Sequence, residues 1–92
     1  MFSKEATIMK GMLSRKPPAI FILQKAYNFK SDIWVENNGH KADAKKLLDI
    51  LSIGIKCGDT ITFTANGDDE TEAVETLVNL VTKDYLYLTD SF

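Results

Sequence analysis

The period of apolar and polar positions changes repeatedly along the chain, and each change marks a predicted element. Residues 2–9 read as a strand, with Phe2, Ala6 and Ile8 on one face. Lys10-Gly11 breaks that pattern. Pro17-Pro18 disfavours helix just upstream and suits a helix's opening turn. Ala19, Ile22, Leu23 and Ala26 then follow at i, i+3, i+4 and i+7, so the spacing predicts a helix over 17–28. A strand over 32–37 places Ile33 and Val35 on one face and Trp34, partly exposed, on the other. Asn37-Asn38-Gly39 is a hairpin signal, because Asn and Gly tolerate positive φ, and 40–44 is the returning strand.

Leu47, Leu48 and Leu51 share one side of a short helix over 46–52, whose exit loop lies between Gly54 and Gly58. Residues 60–66 alternate, with Ile61, Phe63 and Ala65 inward and threonines outward. Gly67-Asp68-Asp69-Glu70 supplies a turn, capping residues and acids for the positive end of a helix over 69–83, whose stripe is Val74, Leu77, Val78 and Val81. The order β-α-β-β-α-β-α implies an α+β layer: a four-stranded antiparallel sheet with helices on one face.

The chain has 92 residues, enough for one small domain, and is 45% hydrophobic with a net charge of −2. That charge gives no general pull toward nucleic acid or membrane. Its distribution is uneven. Residues 1–30 carry six basic residues against Glu5 alone, and residues 59–92 carry eight acids against Lys83. One basic and one acidic face fit this polarity, and so do solvated charges with no partner. Cys57 is the single cysteine, which excludes an intrachain disulfide and fits a reducing cytoplasm. One Cys and one His make a metal centre unexpected, and no cofactor is implied. No apolar run approaches the roughly 20 residues of a membrane helix, and no apolar signal region is visible.

The run Leu51-Ser52-Ile53-Gly54-Ile55 with Gly58 carries a more specific signal. So do Gly39 in the hairpin and Ile61, Ala65, Gly67, Glu70 and Ala73 beyond the loop. Their joint spacing resembles HPr, the histidine-containing phosphocarrier family of the bacterial sugar phosphotransferase system. The match runs essentially without gaps over residues 2–84 and is best from Asp32 onward. It implies an open-faced β-sandwich with three helices on one face of the sheet. A single domain over 1–92 is expected, with its core in about 2–84 and a short tail at 85–92.

The resemblance breaks at the family's active-site string of glycine, aliphatic, histidine, any residue, arginine, proline, alanine. Pro18-Ala19 preserves its end. Arg15 stands at the histidine position, Pro17 at the arginine position and Ser14 at the aliphatic position, and Gly11 lies two places early. Residues 1–39 contain no histidine, so no shift of alignment restores one. Phosphoryl transfer through a histidine needs a neutral ring nitrogen as nucleophile, whereas an arginine is protonated and has no available lone pair. Unpaired N–H groups at the helix start, with Arg15 and Lys16, would still favour an anion. His40 is the one imidazole and belongs to the hairpin. The family's regulatory serine, phosphorylated by a kinase in many low-GC Gram-positive bacteria, corresponds to Lys46, which neither accepts nor mimics a phosphate.

The resemblance also implies a docking surface. Ile20, Leu47, Leu48 and Leu51 match apolar positions that HPr presents to partners, with Arg15, Lys16, Lys45 and Lys46 as a basic rim. Such a patch suits an acidic partner surface. The chain is therefore read as a divergent HPr/Crh-like paralogue, non-enzymatic and cytoplasmic, a monomer or weak dimer. Its partners would be proteins, phosphotransferase components or a transcriptional regulator. Two alternatives stay open: an active phosphocarrier using another residue, and an anion-binding sensor at the first helix.

Overall fold

The computed structural model describes residues 1–8, 18–56 and 58–84, with Lys83 and Asp84 described by their backbone alone. The elements follow in the order β1 (Phe2–Thr7), α1 (Pro18–Ala26), β2 (Asp32–Asn37), β3 (His40–Asp43), α2 (Leu47–Ser52), β4 (Thr60–Asn66) and α3 (Glu70–Asn79). A π-helical turn, Leu80–Asp84, continues α3. The strands form one sheet in the order β1-β4-β2-β3, every pairing antiparallel.

Strand alternation decides what the sheet buries. Ile33 and Val35, Ile61, Phe63 and Ala65, and Ala6 are buried with the inner faces of the helices. Trp34 is half-buried on the opposite face, as its period predicts, and the Lys41 ammonium lies 5.0 Å from its ring centroid. That outer face is polar: Ser3 and Thr64 share a hydroxyl hydrogen bond of 2.8 Å, and Thr7 and Thr60 one of 2.9 Å. The β2–β3 hairpin turns through Asn38 at φ 54° and Gly39 at φ 81°, which a two-residue turn of this hand requires, and it pairs Asn37 with His40.

Most element ends differ from the sequence reading by a residue or two, and α3 proper ends at Asn79, four residues before the expected 83. Pairing persists beyond β1, where Ile8 N–H donates to the Asp59 carbonyl at 2.8 Å, and beyond β3, where Ala44 N–H donates to the Ile33 carbonyl at 2.9 Å. α1 opens at Pro18, whose missing N–H costs nothing there. Its buried face is broader than one stripe and includes Phe21 as well as Ala19, Ile22, Leu23 and Ala26. The last helix is not uniform. Beyond Asn79 the turn widens, and the Thr82 hydroxyl donates to the Val78 carbonyl at 2.7 Å, which occupies an acceptor of the preceding turn.

Among the described residues no helix is long and apolar enough to cross a membrane. No buried side-chain nitrogen or oxygen among them lacks a hydrogen-bond partner.

Candidate functional site

α2 is six residues long and anchors itself through one fully buried side chain, Ile50. Its leucines point outward: Leu47 is 44% exposed, Leu48 83% and Leu51 41%. A helix this short is not stable by itself, so its orientation comes from what holds its two ends. At the leading end the Lys45 ammonium donates to the carbonyls of Phe29 (2.7 Å) and Ser31 (2.8 Å), and the Tyr27 hydroxyl donates to the Lys45 carbonyl (2.9 Å). Asp43 accepts from Lys45 N–H at 2.9 Å, and Asp49 accepts from Asp43 N–H at 2.6 Å. At the trailing end buried Asn37 donates to the Ile53 carbonyl (3.4 Å) and to Asp59 Oδ2 (3.2 Å), and Asp59 also accepts from Lys56 N–H (3.0 Å).

The apolar surface expected from the sequence is present in part. Leu47, Leu48 and Leu51 share one exposed helix, and Tyr27, 61% exposed, adds an aromatic ring that the sequence reading missed. Ile20 is half-buried in α1, so it contributes less exposed surface than expected. The basic rim is corrected. Lys45 is half-buried and turns its ammonium onto backbone carbonyls, while Lys46, the N-cap residue of α2, is exposed and makes no side-chain capping bond. Arg15, Lys16, Pro17, Ser14 and Gly11, with Cys57 and the tail at 85–92, lie outside the described residues. His40 is exposed at the start of β3, an edge strand, where the hairpin reading places it. Ser52 is the last residue of α2, its hydroxyl donating to the Asp49 carbonyl at 2.6 Å.

A second polar cluster sits at the start of α3. Asp69 occupies the N-cap position but makes no side-chain capping bond. Its carboxylate instead accepts Lys30 N–H (2.9 Å), Ser31 N–H (3.0 Å) and the Ser31 hydroxyl. Those donors, the hydroxyl foremost, lower its pKa to about 2. Glu70 accepts Gly67 N–H at 3.2 Å and pairs with the Met1 amino group at 2.9 Å, and both interactions lower its pKa. Gly67 has φ 154°, and a Cβ there would lie 2.5 Å from the Ser31 hydroxyl oxygen and 2.8 Å from Ser31 Cα. The sequence reading took Asp69 for an ordinary cap. No local signal marks Ser31 as its partner, because the two are 38 positions apart.

Chemically these groups bind and position. Among the described residues no set of three His, Cys, Asp or Glu side chains could hold a metal ion.

Comparison with known proteins gives a consistent answer. The family model for the PTS HPr component phosphorylation site matches residues 3–83. The HPr-like protein Crh of Halalkalibacterium halodurans is 36% identical over 85 residues, covering 91% of this chain and all of that protein. The crystal structure of HPr-C-His from Thermoanaerobacter tengcongensis superposes with a TM-score of 0.82 at 34% identity, covering 92% of this chain and 96% of that one. The catabolite repression protein Crh of Bacillus subtilis, solved as a dimer with a swapped domain, superposes with a TM-score of 0.65 at 30% identity, covering 85% and 97%. With its strand order, its hairpin and its exposed short helix, this chain belongs to the HPr family of the phosphotransferase system.

Proposed function

We propose that this HPr-family chain acts as a cytoplasmic protein-binding module that regulates its partners without carrying phosphate. One observation bears most of the weight: α2 exposes three leucines while burying a single side chain. Apolar groups left in water on a pinned helix are a binding surface rather than unused core. The proposed contact residues are Leu47, Leu48 and Leu51 with Ile20, flanked by Lys46 and, from the sequence, Arg15 and Lys16. Phosphotransferase components and a transcriptional regulator are the partners that fit. The name of the B. subtilis relative, catabolite repression HPr, supports a regulatory role.

The reading that phosphate is not carried rests on the sequence. Arg15 stands where the family has its histidine, and the one histidine, His40, is exposed on an edge strand. Incubation with enzyme I and labelled phosphoenolpyruvate tests it. No acid-labile label is expected on this chain, and labelling of His40 or any other residue overturns the reading in favour of an active carrier. The double variant Leu47→Glu, Leu48→Glu tests the surface. Binding to enzyme I or to a cognate regulator, measured by titration calorimetry, is expected to fall at least tenfold while the fold persists.

A further inference from the structure

Lys45 and Lys46 are neighbours of identical formal charge, yet the fold uses them differently. Every polar group of Lys45 has a partner within the molecule. Its N–H donates to Asp43 Oδ1, its carbonyl accepts the Tyr27 hydroxyl, and its ammonium bridges the carbonyls of Phe29 and Ser31. Those carbonyls lie just past the carboxyl end of α1, where the helix dipole favours a cation. Ser31 is itself gripped by Asp69 at the start of α3. Lys45 thus ties the residue pair preceding Leu47 to a segment fixed by another helix. Lys46 stands exposed at the N-cap of α2, beside Leu47 and Leu48.

We infer that Lys45 is a positioning residue that sets how α2 presents its leucines, and that Lys46 is the cation of this pair offered to a partner's carboxylate. This rests on the reading of α2 as a docking element and adds a division of labour to it. The physical reason is preorganisation. A six-residue helix with one buried side chain would otherwise need a partner to order it, and that ordering subtracts from affinity. Anchoring by hydrogen bonds from a charged group removes the cost before binding, because such bonds are stronger than neutral ones. The specificity consequence is that, of the two neighbouring lysines, Lys46 adds its charge to the surface beside Leu47 and Leu48 and Lys45 does not.

The test needs no partner, so its failure is separable from failure of the docking reading, which the Leu47→Glu, Leu48→Glu titration addresses. In the unmodified protein, trace acetylation with acetic anhydride followed by peptide mass spectrometry should modify Lys46 at least tenfold faster than Lys45. The Lys45 ammonium should give a protected correlation in ammonium-selected proton–nitrogen spectra, and Lys46 should not. Lys45→Met keeps the aliphatic stem and removes the donors. It should speed hydrogen exchange of the Ile50 amide, which donates to the Lys46 carbonyl, at least tenfold, beyond any change at the β4 amides. Lys45→Arg, which keeps charge and donors, should restore most of that protection, and Lys46→Met should leave it unchanged. Equal acetylation of the two lysines, or unchanged α2 exchange in Lys45→Met, overturns the inference. If Lys45→Met does not fold, the acetylation and ammonium measurements on the unmodified protein still decide it.

Discussion

α2 and α3 each carry acid in the first turn, yet they serve opposite ends. α3 packs Ala73, Val74 and Leu77 into the core, and its continuation adds Leu80 and Val81. α2 packs Ile50 and leaves Leu47, Leu48 and Leu51 in water. The acids differ in parallel. Asp69 and Glu70 spend their carboxylates on donors outside α3, locking the helix to the start of β2 and to Gly67. Asp43 and Asp49 shape only the turn that leads into α2. The comparison teaches that a small domain concentrates burial in one helix and holds another by polar struts, so that its apolar side stays available. Four changes would break or sharpen it.

The largest effect is expected at Ile50. Ile50→Ala empties the only fully buried position of α2 and should destabilise the domain by about 2–5 kcal/mol. Urea unfolding measures it, and a loss under about 1 kcal/mol would mean that the struts alone hold the helix. Gly67→Ala comes next. The new Cβ would collide with Ser31 Cα and Oγ at a backbone conformation that side chains rarely adopt, for about 1–3 kcal/mol. Its loss should be accompanied by a rise in the Asp69 pKa, because the clash displaces Ser31, the principal donor; an unshifted Asp69 resonance on titration would show that Ser31 stays in place.

The acid limb is the third test. Asp69 and Glu70 have lowered pKa values, Asp69 to about 2. The stability they supply is therefore complete above the ordinary carboxylate value and is lost as pH falls from about 4 toward 2. Urea midpoints should fall across that interval, and Asp69→Asn should flatten part of the fall. An identical slope in the variant would show that the Ser31 contact stabilises nothing. The smallest effect on stability is expected at Leu48→Glu, within about ±0.5 kcal/mol, since the side chain is already in water. A large loss would make Leu48 a core residue and remove the docking surface.

Much of the architecture was legible because it is written at short range. Alternation at 60–66 placed Ile61, Phe63 and Ala65 inward, and the same period at 32–37 placed Trp34 on the outer face. Asn38-Gly39 named the hairpin, since few residues accept two consecutive positive φ values. Leu47, Leu48 and Leu51 were legible as a surface through the resemblance, while Ile50, the residue that anchors them, was overlooked. Periodicity ranks positions by face and does not say which face of a short helix meets the core.

The sequence by itself determined the order of elements, the faces of the strands, the hairpin and the family. It also contains a single histidine, at position 40. Tertiary structure alone decided the polar contacts. Lys45 and Lys46 are the same letter, and only the carbonyls of Phe29 and Ser31 separate a strut from an outward charge. Asp69 looks like a cap until Ser31 arrives from 38 positions away, and Gly67 looks like a turn glycine until the Ser31 backbone fills its Cβ position. Hydrophobic patterning is a property of neighbours along the chain. A hydrogen bond between remote side chains depends on distances of a few ångström that exist only once the core has set the elements side by side.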